Sequence, residues 1–332
     1  MQTINSASLP EESGQSSRVA NQTFSDVWAR KYLQKLAEQD DITEALSRSE
    51  RAAEIAQTLT QTLRATSAQA WAMTEALLAQ ELVRHQIDPR SIDPWAVAKD
   101  AHQIYEITLN AYAQQLPPPQ LSTLIAAPLG QIRQKYTATD PRIIGFVSMQ
   151  FHYSEQILLD LTPPTHQALL SQYFKVIDDH LYMPLQRAYQ AAAEHSYPSP
   201  RLQAVQRLVP LSSSIANRIV NRVSTLYPTY QCHSGHLSQP HVQISSVRDV
   251  EMFQVYLWVC VLEDTISSVQ QELFPLCVML YPRLNVRWEL VQQLILLLGE
   301  EIRSSLSSDE MAFFAPYHQA LWTMFSPQVF LE

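Results

Sequence analysis

The stretch that decides the fold is DPWAVAKDAHQIYEITLNAYAQQLPPP, residues 93–119. Asp93 followed by Pro94 is a strong helix start, because the Asp carboxylate can cap the first free N–H groups and proline carries no N–H to leave unpaired. Three consecutive prolines then stop the helix. Between these signals the residues are good helix formers with apolar positions at helical spacing, so the segment reads as one helix to about residue 116. The same aspartate-, threonine- or serine-proline device recurs at Asp140-Pro141, Thr162-Pro163 and Ser199-Pro200, and Ser307 with Glu310 has the spacing of a capping box. Proline therefore marks helix starts in this reading, with Pro184 and Pro275 as the two that kink or divide a helix.

Working outward, helices are expected from Phe24 to about Leu36, from about 41 to 85 with an interruption at Thr66-Ser67, and over 120–136, 141–160, 164–194, 200–208, 212–226, 246–273, 276–281, 286–305 and 308–325. Glycine supports the same conclusion. Only five are present, Gly14, Gly130, Gly145, Gly235 and Gly299, too scattered for a P-loop, a dinucleotide turn or a tight hairpin. The predicted fold class is all-α, with an N-terminal helical segment followed by a C-terminal multi-helix bundle. Residues 1–22 read as a disordered tail, 23–137 as an N-terminal helical domain and 138–332 as the bundle. Gly130 and Gly145 fall inside helices and are expected to mark close helix crossings.

A net charge of −9 gives no general attraction to nucleic acid. The local basic run Arg201, Arg207, Arg218 and Arg222 reads as a solvated helix face. No basic segment followed by an apolar one opens the chain, and no run of eighteen apolar residues occurs, so neither a secretory signal nor an integral membrane segment is expected. Three cysteines without C-x-x-C spacing suit a reducing compartment, and a cytoplasmic location follows as the expectation.

Three groups of residues could carry chemistry. The first is the stretch between 227 and 245, where Cys232, His233, His236 and His241 offer four ligands that zinc accepts. Adjacent Cys232 and His233 point to opposite sides of an extended chain, which works against a closed site. The second comprises His152, Glu155, Asp178, Asp179 and His180 on two neighbouring helices, read as ordinary hydrogen-bonded residues of a helix surface. The third is a set of carboxylates beside apolar helices, Glu251, Glu263, Asp264, Glu272, Glu289, Glu300 and Glu301, read as inter-helix ion pairs with Arg248, Arg283 and Arg287.

The runs DPRIIGFVSMQFHYSEQILLDL (140–161) and VEMFQVYLWVCVLEDTISSVQQELFPLCVMLYP (250–282), with Gln-rich and Lys-poor helices, make the C-terminal half resemble uncharacterised helical proteins of cyanobacteria. The resemblance implies a setting in a photosynthetic bacterial cytoplasm and supplies no catalytic residues.

The leading functional expectation is a non-enzymatic scaffold, assembly or regulatory protein that works through protein partners, as a homodimer if its apolar helices are to be covered, and with no cofactor. The alternative is a small-molecule or tetrapyrrole sensor whose pocket is lined by His152, Tyr153, His180 and Trp258. A metal-dependent helical enzyme, with zinc at the Cys/His loop, comes third.

Overall fold

The computed structural model describes residues 24–32, 42–196 and 199–330, and the expected tail at 1–22 lies outside the described residues. These residues form α1 (Phe24–Ala29), α2 (Ile42–Arg84), α3 (Pro94–Ala113), α4 (Pro118–Thr137), α5 (Ile143–Asp160), α6 (Pro164–Tyr182) and α7 (Leu185–Ala193). They continue with α8 (Pro200–Leu208), α9 (Ser212–Leu226), α10 (Pro240–Glu263), α11 (Phe274–Arg283), α12 (Trp288–Ser305) and α13 (Ser308–Met324). The only strands among the described residues are β1 (Gln231–Cys232) and β2 (Gly235–His236), so the fold is all-α.

Three of the five capping signals act as their chemistry demands, whereas Asp140 accepts from the Arg142 amide and α5 starts only at Ile143 without a side-chain cap. The Asp93 carboxylate accepts from the amides of Trp95 and Ala96, Ser199 accepts from Leu202, and Ser307 and Glu310 close a reciprocal capping box. Pro184 separates α6 from α7. Thr162 behaves differently: its hydroxyl bonds back to the Leu158 carbonyl, and the next helix starts at Pro164 without a side-chain cap. Proline is also less tidy than expected, since Pro128, Pro282 and Pro316 lie inside helices.

Two helix boundaries differ from the sequence reading. α2 runs unbroken through Thr66 and Ser67, because both are buried and the Ser67 carbonyl takes a hydrogen bond from the Gln150 side chain of α5. Tertiary packing overrides the weak local preference of Ser and Thr for helix ends. At the other end of the chain, α10 starts at Pro240 instead of 246 and stops at Glu263 instead of 273. Asp264 is left-handed (φ 54°), and a wide π turn over Val269–Leu273 leads into α11.

α10 is the axis of the C-terminal part. Every residue from Val250 to Leu262 is buried, and α6, α7, α8, α9, α12 and α13 surround it. α2 lies along α3 and α5, while α4 packs on α6 and α7; the connection near residue 137 joins helices that enter one continuous buried cluster. Gly130 and Gly145 both stand at close crossings. A Cβ on Gly130 would lie 2.6 Å from Gln186 of α7, and one on Gly145 would lie 2.5 Å from Met279 of α11.

Two buried charge clusters between the helices

The central helices α6 and α10 carry charges into the interior, and the short N-terminal element adds one more. Lys31, just after α1, places its Nζ 3.2 Å from Asp179 Oδ2 and 3.1 Å from Glu251 Oε1. Lys175, one turn before Asp179 on α6, reaches Asp179 Oδ1 at 2.8 Å and Glu251 Oε2 at 3.3 Å. Tyr32 donates to Asp179 at 2.9 Å and Ser213 of α9 donates to Glu251 at 2.5 Å. Two carboxylates thus face two ammonium groups, and the Asp179 and Glu251 side chains are both 0% exposed. Burial alone would push both acids up, but the two lysines hold them below the ordinary carboxylate range. Trp28, itself fully buried, packs over Lys31: the Nζ lies 3.5 Å from its ring centroid, and the ring packs edge-on against Trp258.

A second cluster lies beside the first. Asp178 accepts from Arg248 Nη1 at 3.0 Å, and Arg248 stacks its guanidinium 3.9 Å from the Tyr182 ring centroid. Glu155 of α5 shares the wall of the same cavity with Asp178. Burial, with the Asp178 charge next to it, pushes Glu155 well above its ordinary value; burial also raises Asp178 despite Arg248. Asp249, 3.9 Å from Arg248 Nε, is pushed up to about 6 by burial. His152 is pulled down to about 4 by burial and by Arg248, so it is neutral at pH 7.

The carboxylates of the second cluster border a cavity, whereas the first cluster borders it through its lysines and not through Asp179 or Glu251. A cavity of about 450 Å³ between α5, α6 and α10 has Glu155, Asp178, Arg248 and His152 in its wall, with Leu159 and Ile244 as apolar lining. Lys31, Tyr32 and Lys175 form its far side. A smaller space of about 120 Å³ adjoins it, sharing His152, Ser245 and Arg248 and reaching Cys232, Cys277 and Tyr281. Two buried acceptor atoms of the larger cavity's lining residues, Asp178 Oδ1 and Gln172 Oε1, find no donor.

Of the four residues expected to line a pocket, only His152 does so. Tyr153 stands next to it in ring contact and packs against the core. His180 is buried elsewhere, with Nδ1 donating to the Val176 carbonyl and Nε2 facing the hydroxyls of Ser122 and Tyr189. Trp258 is fully enclosed against Phe24 and Trp28. The four Cys/His residues are not brought together as ligands. Cys232 donates its thiol to the Gly235 carbonyl and His241 bonds the Ser234 carbonyl, while His233 and His236 are exposed. Among the described residues no three His, Cys, Asp or Glu side chains converge to hold a metal ion. The segment is instead a hairpin turning at His233-Ser234, which the sequence did not announce; Gly235 permits it with φ +130°.

Glu155, Asp178 and Asp179 are the residues read from sequence as a helix surface. The structure corrects this by placing them where α5, α6 and α10 meet, with Asp179 buried and Glu155 and Asp178 half-buried. Glu251 does form inter-helix ion pairs, but with lysines, and Arg248 pairs with Asp178 instead. Lys31 and Lys175 were not anticipated; the four-residue spacing of Lys175 and Asp179 was the available signal. The basic run is paired throughout, Arg201 with Asp264, Arg207 with Glu310, Arg218 with Glu301 and Arg222 with Glu300.

No helix among the described residues is long and apolar enough to cross a membrane. In comparisons with protein-family models, with curated proteins and with solved structures, nothing matches this chain, so its chemistry is read from these two clusters alone.

Proposed function

We propose that this protein is a helical receptor for a small organic molecule, bound between α5, α6 and α10, and that it senses or carries the ligand without transforming it. The observation that carries this reading is the cavity of about 450 Å³ with the half-buried Asp178–Arg248 ion pair in its wall. Ligand pockets commonly fall in the range of roughly 300–1,000 Å³, mostly apolar with a few placed polar groups. Native mass spectrometry of protein purified from its own host tests it. A bound small molecule is expected, and it should be lost when the exposed rim residue Ala168 is enlarged (Ala168→Trp). Retention of the same molecule by that variant would place the ligand elsewhere. A visible absorption band on the purified protein would identify a tetrapyrrole as that ligand.

A scaffold that acts through protein contacts is the second reading. Val83 is 82% exposed and Trp95 84% exposed, on either side of the turn between α2 and α3, and so large an exposed tryptophan suits a partner surface. Light scattering and cross-linking of wild type and Trp95→Ser test this, including the homodimer, with loss of an assembly in the variant as the expected result.

A further inference from the structure

The element 24–32 is laid on the bundle like a peptide ligand. An isolated helix shorter than about 12–15 residues is marginal in water, so α1 and the single turn after it are ordered by the surface beneath them. That surface is made by α4, α6, α7 and α10. The side chains that enter it are Phe24, Trp28, Lys31 and Tyr32, the i, i+4, i+7 and i+8 positions by which an amphipathic helix fills a groove. The Phe24 ring centroid lies 5.7 Å from that of Tyr189 and 6.0 Å from that of Trp258, and Trp28 meets Trp258 edge-on at 6.0 Å. Asp26 and Arg30 stand on the exposed face of the element.

The charges of this surface are divided between bundle and element. Asp179 and Glu251 each accept from Lys175, a bundle residue, at one oxygen. The other oxygens are served by the element: Lys31 and Tyr32 reach Asp179 Oδ2, and Lys31 reaches Glu251 Oε1. With the element lifted, two acids face one lysine beside the rings of Tyr189 and Trp258, which makes an acidic, aromatic groove. We infer that this groove is a peptide-binding site whose ligand is a short helix with aromatic residues four apart and a lysine beside the last of them. Residues 24–32 are its occupant in cis, exchangeable for the same segment supplied in trans. Lys31 and Tyr32 also form one side of the cavity, so release of the element opens that side. The groove is independent of what the cavity holds, and the receptor reading keeps its own test in Ala168→Trp.

Fluorescence anisotropy with the labelled peptide FSDVWARKY, residues 24–32, tests the groove on the full chain. A short tether holds its own end at an effective concentration in the millimolar range, so wild type is expected to take up little of the peptide. Trp28→Ala combined with Lys31→Ala weakens the occupant in cis and leaves the groove's own residues in place. This double variant should bind the peptide about tenfold tighter than wild type or better. A peptide carrying the same two substitutions should not bind. Equal affinity of wild type and variant for the first peptide overturns the inference, as does equal binding of the two peptides. So does absence of binding by a variant that a thermal melt shows to be folded. Should the variant fail to fold, a chain with a protease site inserted among residues 33–41 decides: it is cut after folding and given an excess of isotope-labelled peptide. Native mass spectrometry should find the labelled peptide in place of the cut fragment, and retention of the fragment overturns the inference.

Discussion

The Lys31–Asp179–Lys175–Glu251 quartet and the Glu155–Asp178–Arg248 cluster are built on the same helices, α6 and α10, yet the carboxylates of the first are fully enclosed and those of the second line a cavity. Every oxygen of the quartet's carboxylates has a donor, and aromatic rings cover it. A cluster closed in this way has a structural role. In the open cluster burial raises the carboxyls of Glu155 and Asp178, and Asp178 Oδ1 has no donor, which costs stability.

The largest expected effect tests that division. Lys175→Met leaves Asp179 and Glu251 with one ammonium between them, an uncompensated buried charge that typically costs about 3–5 kcal/mol. Urea denaturation should show a loss of that size, and a loss under about 1 kcal/mol would mean that water enters the quartet. Glu155→Gln, by contrast, removes a carboxyl whose charged form burial already disfavours and should move the midpoint little.

Lys31→Met probes the same quartet from the other side. Lys31 belongs to the short element 24–32, so that element can undock instead of unfolding the bundle, and undocking caps the loss at about 2–3 kcal/mol. Hydrogen exchange is the measurement: amides of 24–32 should lose protection while those of α6 and α10 keep theirs. Equal loss across all three would show that the element is part of the cooperative core.

Acidity separates the clusters in opposite directions. Asp179 and Glu251 have folded values below their unfolded ones, so their contribution is present above the unfolded range near pH 4 and is lost as pH falls below it. Asp249 is raised to about 6 from 3.8. Across that window the native state holds a proton that the unfolded chain has released, so stability falls as pH rises. His152 and His180, both pulled down to about 4, act the other way, because the unfolded chain takes up protons first as pH drops below about 6.5. Asp249→Asn removes only the first of these opposing contributions. The variant should match wild type at pH 4 and exceed it at pH 7, by about 2 kcal/mol, somewhat less than the full linkage value because the side chain is 27% exposed. Equal stability of the two proteins at both pH values would show that Asp249 is ionised in the fold at no cost.

What could be read from the chain follows the range of the forces involved. Asp93-Pro94, Ser199-Pro200 and the Ser307/Glu310 box are local, and each lies where its spacing put it. Thr66 and Ser67 misled because a contact from α5, distant in sequence, decides their state. The candidate site was legible only as a pair of helices bearing His152, Glu155, Asp178 and Asp179. Which of Asp178 and Asp179 faces the cavity and which the quartet depends on how α6 is rotated against α10, and no short-range signal carries that. Lys31 is the extreme case, since its partners lie 148 and 220 residues away along the chain. The Cys/His loop offered the right residue types, but its backbone turns at His233-Ser234 and points them apart.

The smallest expected effect is also the most controlled comparison, because it deletes a single oxygen from each cluster. Ser213 donates its hydroxyl to Glu251 at 2.5 Å, whereas Ser245, beside the cavity, bonds the His241 carbonyl of its own helix. Ser213→Ala removes a hydrogen bond to a buried charge and should cost about 1.5–3 kcal/mol. Ser245→Ala gives up only a back-bond within α10 of the kind that weakly disfavours helices, and should fall within about 0.5 kcal/mol of wild type. If both variants lose the same stability, Ser245 contributes to the cavity wall as much as Ser213 does to the quartet. The open cluster would then be as rigidly built as the closed one.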